Sequence, residues 1–152
     1  MKTQKIILGS DHAGFELKEE IKKLLRELGY SYEDVGTYSN EPCDYPKNAF
    51  IVAKKVAKSK NLGILMCGTG LGEAIVANKL KGIRATNCFS EETAKLAKEH
   101  NNSNILCLGA RILTREKAQK ITKIWLNTKF TSEGRHKRRV RQIAEIEKNI
   151  CK

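Results

Sequence analysis

Cys67, Gly68, Thr69, Gly70, Leu71 and Gly72 follow directly on an apolar run of Leu62, Ile64, Leu65 and Met66, and precede a helix-forming segment from Glu73 to Lys79. A strand, a glycine turn and a helix in that order make a site for an anion or an oxyanion. Glycines let the backbone pass close to a ligand, so that successive N–H groups and the positive end of the helix point at one oxygen or phosphate. That field favours a thiolate at Cys67. A buried strand-end cysteine ahead of an ordinary loop is the plainer reading of the same residues. Further chemistry-bearing side chains sit beyond other apolar runs: Asp11 and His12 after the run 5–10, and Arg111 after the run 104–109. Arg135 and Arg139 belong to the basic segment GRHKRRVR.

The elements that must position these residues are legible in the periodicity. The run 5–10 is a strand, and Phe15, Leu17, Ile21, Leu24, Leu25 and Leu28 then recur at helical spacing over 13–28, with Gly29 as the stop. Residues 30–35 alternate as a strand, and 37–46 form a polar loop holding both prolines of the chain. A helix over 47–59 would turn Phe50, Ile51, Ala53, Val56 and Ala57 inward. After the Cys67 turn, a helix through Ala74, Ile75, Ala77 and Leu80 ends near Gly82. Residues 83–89 make a fourth strand, and Ser90 caps a helix ending at His100-Asn101-Asn102. A fifth strand covers 104–109. Thr114 caps a helix with Ala118, Ile121, Ile124, Trp125 and Leu126, and a last helix over about 135–150 carries Val140, Ile143, Ile146 and Ile150. Strands alternating with helices predict an α/β fold, a three-layer sandwich around a five-stranded parallel, Rossmann-like sheet with helices on both faces and right-handed crossovers. Ligands of such sheets bind beyond the C-terminal ends of the strands. Asp11, His12, Cys67, Thr69 and Arg111 are therefore expected on one rim.

With 152 residues and 40% hydrophobic content, the chain is expected to be one domain spanning 1–152, able to bury a core without disulfides or metals. No apolar stretch has the length of a membrane span, and the N-terminus lacks the pattern of a signal peptide, so a cytoplasmic location is expected. The five cysteines are widely spaced with no C-x-x-C pair, which predicts reduced thiols rather than a disulfide framework or a zinc cluster. A net charge of +12 raises the question of nucleic acid. Aromatic residues are only 6% of the chain and none interleaves with the basic segment, so small phosphorylated ligands account for the arginines more economically.

The glycines run G-x-G-x-G, and the strand after them ends at Asn87-Cys88-Phe89 with no carboxylate for a ribose hydroxyl, unlike a dinucleotide site. No Gly-Lys-Ser/Thr makes a P-loop. His12, His100 and His136 have no partner at metal-ligand spacing. What remains is a thiol, an acid–imidazole pair and arginines. Those parts suit proton transfer on a phosphorylated sugar: a base takes the proton beside a carbonyl, an oxyanion hole holds the enediolate, and guanidinium groups anchor the phosphate.

GSDHAGFELK near the N-terminus, Asp44-Tyr45-Pro46, CGTGLG at 67–72 with Ala77-Asn78-Lys79, GIRA at 82–85, EHNNSNILCLGAR at 99–111 and GRHKRRV at 134–140 run in order through nearly the whole chain. Together they resemble the sugar-phosphate isomerase family of the ribose-5-phosphate isomerase B type, which also includes allose and galactose phosphate isomerases. The resemblance implies an aldose–ketose isomerase of the pentose phosphate pathway, acting on ribose 5-phosphate and ribulose 5-phosphate through an enediolate, without metal or other cofactor. A six-carbon sugar phosphate as substrate is the alternative, and a non-catalytic nucleic-acid-binding module is the reading from another class. The resemblance also implies that Cys67 is the base, assisted by Thr69, with amides of Gly68, Gly70 and Gly72 on the enediolate. By the same resemblance Asp11 and His100 open the furanose ring, His12, Arg135 and Arg139 hold the phosphate, and Asn101, Arg111 and Tyr45 complete the pocket. Members of the family build each site from two subunits, which implies a homodimer, or a tetramer, in which the His100 and arginine regions face the partner's copy of the Cys67 turn.

Two positions depart from the family's common pattern. Asn102 stands where Asp is usual. Position 73 is Glu, and in one branch of the family a glutamate at that place is the base while the cysteine is missing. This chain carries both, with Cys67 favoured because it is joined to the usual Gly-Thr-Gly, and Glu73 otherwise reading as a favourable acid in a first helical turn.

Overall fold

The computed structural model describes residues 3–150, so Cys151 lies outside the described residues. The elements in chain order are β1 (Ile6–Ser10), α1 (Phe15–Glu27), β2 (Tyr32–Asp34), α2 (Tyr45–Ala57), β3 (Leu62–Cys67), α3 (Leu71–Ala77), β4 (Ala85–Asn87), α4 (Glu91–Asn101), β5 (Ile105–Gly109), α5 (Arg115–Asn127) and α6 (Gly134–Ile150). The strands form one sheet in the order β2-β1-β3-β5-β4, and every neighbouring pair is parallel.

Alternation along the buried strands divides the core in two. Ile6, Leu8, Leu62, Ile64, Met66, Leu106 and Leu108 face one side, where α1, α4 and α5 supply Ile21, Leu24, Leu25, Ala94, Ile121 and Trp125. Ile7, Leu65, Ile105 and Cys107 face the other, against Ala49, Val52, Ala53 and Val56 of α2 and Ala77 of α3. Each fully buried Leu or Ile contributes about 1.5–3 kcal/mol relative to exposure. Trp125 completes the first layer, with its indole N–H donating to Ser103 Oγ at 3.2 Å.

Several expectations from the sequence are corrected here. Strand β2 is shorter than 30–35, because it lies at the sheet edge and pairs only with β1. Strand β4 is confined to Ala85–Asn87 at the opposite edge. Helix α2 begins at Tyr45, with Pro46 in its first turn, where a missing N–H leaves nothing unsatisfied. Its inward face is Ala49, Val52, Ala53 and Val56, whereas Phe50 is 46% exposed and Ala57 also faces solvent. The helix phase is set by Gly9 and Gly63: a Cβ on either would come within 3 Å of a Val52 methyl, at 2.8 and 2.9 Å. The two glycines leave a slot in the sheet that Val52 fills. Helix α3 starts at Leu71, and its Ile75 is 62% exposed rather than inward. Ser90 and Thr114 cap as expected, accepting the N–H groups of Thr93 and Lys117.

Candidate active site

From β1 the chain moves outward to β2, and from β3 it moves to the opposite side, so the order reverses between β1 and β3. The loops that follow these two strands carry Asp11-His12 and the Cys67 turn. Strand β5 lies beside β3 and delivers Arg111 to the same rim.

The turn is held by contacts that require its glycines. Gly70 has φ 78°, and an added Cβ would meet Asn87 Nδ2 at 2.4 Å and the backbone of Leu108 at 3.0 Å. Gly72 lies against Tyr45, whose ring and hydroxyl would be 2.4–2.6 Å from a Cβ there. Asn87 Nδ2 donates to the Thr69 carbonyl at 3.0 Å, and the amides of Ala110 and Arg111 donate to the carbonyls of Cys67 and Gly68 at 2.8 and 2.9 Å. Within this cradle the Gly70 N–H donates to Cys67 Sγ at 3.0 Å. The Thr69 hydroxyl accepts the Leu71 N–H at 3.2 Å, and the residue is exposed to the rim.

The other rim residues are fixed from neighbouring elements. Asp11 is buried and accepts the Gly14 N–H at 3.0 Å, where Gly14 packs directly on the Met66 carbonyl. His12 Nδ1 lies 3.1 Å from the Cys43 N–H and 3.2 Å from the Cys43 carbonyl. Cys43 thereby holds the ring whether Nδ1 accepts or donates. The Arg111 guanidinium packs on Gly68, 3.2 Å from where a Cβ would stand.

The electrostatics differ from the expectation that the turn favours a thiolate. Burial pushes the Cys67 thiol up, and the Glu73 and Asp11 carboxyls add to this, against lowering by the amides of Thr69 and Gly70. Glu73 is not an exposed first-turn acid. It is fully buried, neither carboxyl oxygen has a hydrogen bond of ordinary geometry among the described residues, and the residue is raised well above the usual carboxylate range by burial and then by Asp11. The Cys67 thiol is its one lowering neighbour.

His100, Asn101, Arg135 and Arg139 are not on this rim of the same chain. Helix α4 leads from the C-terminal edge of β4 back to the start of β5, so His100 and Asn101 lie at the opposite edge of the sheet. Arg84, at the entry to β4, fastens that end by donating to the Asn101 and Asn102 carbonyls at 3.0 Å. Helix α6 runs beside it with Arg135 and Arg139 exposed, and the rings of His100 and His136 stack with centroids 4.0 Å apart and planes 9° from parallel. His136 is lowered by desolvation, then by His100, Arg135 and Arg139.

Some motif residues prove architectural. Asn78 brackets Ala85, accepting its N–H at 2.8 Å and donating to its carbonyl at 2.9 Å, which ties α3 to β4. Asn102, in place of the usual Asp, is the left-handed C-cap of α4 at φ 47°, a conformation that Asn tolerates. Cys43, Asn87 and His136 were not singled out from the sequence for the site. Of these only His136, inside GRHKRRV, carried a signal.

Residues 6–143 match the family described as Ribose/Galactose Isomerase. The chain is 45% identical over 145 residues to ribose-5-phosphate isomerase B of Escherichia coli, covering 95% of this chain and 97% of that protein. A solved structure of Clostridium thermocellum ribose-5-phosphate isomerase B is similar with a TM-score of 0.93 and 45% identity, over 97% of this chain and 99% of that one. The Mycoplasma genitalium ribose-5-phosphate isomerase B with bound ribulose 5-phosphate gives a TM-score of 0.93 and 42% identity, over 97% and 99% of the two chains. A parallel sheet with a thiol turn at its switch point, matched over nearly all of its length by such relatives, places this chain in the ribose/galactose isomerase family.

Proposed function

We propose that this chain interconverts ribose 5-phosphate and ribulose 5-phosphate through an enediolate, with Cys67 as the base. The observation that carries the reading is the Cys67 turn, a thiol gripped by a backbone N–H inside a glycine loop with a guanidinium against it. As thiolate, Cys67 takes the C2 proton of the open-chain aldose, and charge moves onto the carbonyl oxygen. Amides of Gly68 and Gly72 are assigned to that charge, the Gly70 N–H being engaged on Cys67 Sγ, and donors placed so are worth about 10²–10³ in rate each. The thiol then returns the proton to C1 while the hydroxyl proton passes from O2 to O1, a step for which the Thr69 hydroxyl is at hand. The product is the ketose and Cys67 is again a thiolate.

Ring opening falls to Asp11 and His100, and phosphate anchoring to His12, Arg135 and Arg139, with Asn101, Arg111 and Tyr45 lining the pocket. This assignment needs a second copy of the chain, because Cys67 and the His100–arginine region lie at opposite edges of one sheet. An apolar stripe on α6 (Ile143, Ile146 and Ile150, 40%, 57% and 75% exposed) and Leu71, Ile75, Phe89 and Ile112 on the rim side offer surface for it to cover. A homodimer with shared sites is the assembly that fits. No helix among the described residues is long and apolar enough to cross a membrane. A cytoplasmic single-domain enzyme of the pentose phosphate pathway is the setting this reading implies.

Assaying the purified chain against five- and six-carbon aldose phosphates tests the substrate. Preference for ribose 5-phosphate supports the reading, and faster turnover of allose or galactose 6-phosphate replaces it with the six-carbon alternative. Salt-sensitive binding to DNA or RNA without turnover would instead favour the nucleic-acid module.

A further inference from the structure

His100 stands in the last turn of α4 and His136 in the first turn of α6, and their rings meet face to face, with centroids 4.0 Å apart and planes 9° from parallel. No hydrogen bond holds either ring among the described residues. The last torsion of a histidine side chain is broad, so a ring without a partner swings about its Cβ–Cγ bond. Here the plane of each ring is set by the other. Helix α6 has no buried residue, so few contacts locate its first turn. The Thr131 N–H donates to the Glu99 carbonyl at 3.0 Å just before the helix, and the stack follows. A further tie, Glu147 accepting the Gly82 N–H at 3.1 Å, lies towards the other end of the helix. The charged groups around the His136 ring are Arg135 and Arg139 on its own helix and Glu99 on α4. Desolvation first, and then His100 and the two arginines, hold His136 below the ordinary imidazole range, so it offers His100 a neutral face.

We propose that His136 is a positioning residue for His100, its stacked ring fixing the plane in which the His100 imidazole meets the sugar. The inference rests on the reading of His100 as a group that opens the furanose. In that step the bond between C1 and the ring oxygen breaks, the ring oxygen gains a proton, and the C1 hydroxyl loses one as the carbonyl forms, so no net proton is consumed. The N–H bonds and lone pairs of an imidazole lie in its ring plane. A His100 ring turned out of that plane no longer points a nitrogen at the sugar oxygen, and proton transfer depends on that alignment. His136 supplies a flat face and acts through His100, and its own nitrogens exchange no proton with the substrate.

The test is steady-state turnover of ribose 5-phosphate by His136→Ala, His136→Phe, His100→Ala and the double variant His100→Ala with His136→Ala. General acid–base groups contribute about 10²–10⁴ in rate, so a misaligned His100 should lower kcat of His136→Ala at least about tenfold. Phenylalanine keeps the flat face without a titrating nitrogen, and His136→Phe should recover most of that loss. The double variant should match His100→Ala within about twofold, because His136 has no other route to the reaction. Wild-type kcat in His136→Ala, with KM raised or not, overturns the proposal. So does His136→Phe as slow as His136→Ala, which would assign the effect to the imidazole's own chemistry. A double variant clearly slower than His100→Ala also overturns it, as a role in holding α6 independent of His100. If a variant does not fold, proton NMR of the wild type decides: nuclear Overhauser contacts between the two rings are expected, and their absence refutes the stack. Wild-type kcat in His100→Ala would overturn the ring-opening reading and the inference with it, whereas a slow His100→Ala beside a fast His136→Ala overturns the inference alone.

Discussion

Two inactive variants mixed in one tube regain activity only if each site draws on both chains. Cys67→Ala removes the base from the rim, and the double change Arg135→Ala with Arg139→Ala removes the phosphate anchors from α6. Both arginines are exposed, so the second variant keeps its fold. Each guanidinium–phosphate contact is worth about 1.5–3 kcal/mol, so losing two weakens turnover at low substrate by about two orders of magnitude or more. In a heterodimer of the two, one site combines the intact Cys67 turn of one chain with the intact arginines of the other, while the second site carries both defects. Random exchange at equal amounts puts half of the chains into heterodimers, each with one working site in two, so the mixture should recover about a quarter of wild-type turnover. The assay is ribulose 5-phosphate formation after brief partial denaturation and refolding of the mixture. Activity no higher than the average of the separate variants would refute a site built across the edges of two sheets.

Further outcomes follow from the same contacts. Gly72→Ala should drive its methyl into the Tyr45 ring and lower turnover at least about tenfold, read by steady-state kinetics; unchanged kcat would mean that Tyr45 moves freely. Asn78→Ala should lose about 1–3 kcal/mol with catalysis little changed, because two buried backbone groups of Ala85 lose their partner; calorimetry should show Tm lower by about 2–10 °C. Lys98 is buried over the Trp125 ring and lowered to about 8 by burial and then by Arg84, from 10.5 in the unfolded chain. Its protonated form therefore opposes folding by up to about 3 kcal/mol below pH 8, and the penalty fades as pH rises towards 10.5. Lys98→Met should stabilise the protein in urea melts at neutral pH and gain less at about pH 10, and an equal gain at both would dismiss the charge as the cause.

The order of elements was legible because both faces of the sheet are covered, which makes β1, β3 and β5 continuous apolar runs between helices of clear periodicity. The bounds of the edge strands were not, since β2 and β4 each have one neighbour and few residues to pair, so each is shorter than its apolar run. The face of α2 was misread because the slot that receives Val52 is made by Gly9 and Gly63, residues remote in sequence whose side-chain absence is itself the packing feature. Asp11, His12, Cys67 and Arg111 could be placed on one rim from strand ends alone. The state of Glu73 could not: first-turn acids are usually solvated, and only the closure of α3 against three strands shows that this one is dry. The separation of His100 and Arg139 from Cys67 follows from the topology, and the motifs by themselves gave no hint of it beyond the resemblance.

Ribose 5-phosphate turnover by wild type and Cys67→Ala, purified alike and matched for fold by circular dichroism, bears on the chemistry most directly. The thiolate acts in the transition state while the phosphate anchors are separate groups, so the variant should lose nearly all kcat and still bind substrate. Retention of about a tenth or more of wild-type kcat, a barrier change under about 1.4 kcal/mol, would contradict Cys67 as the base.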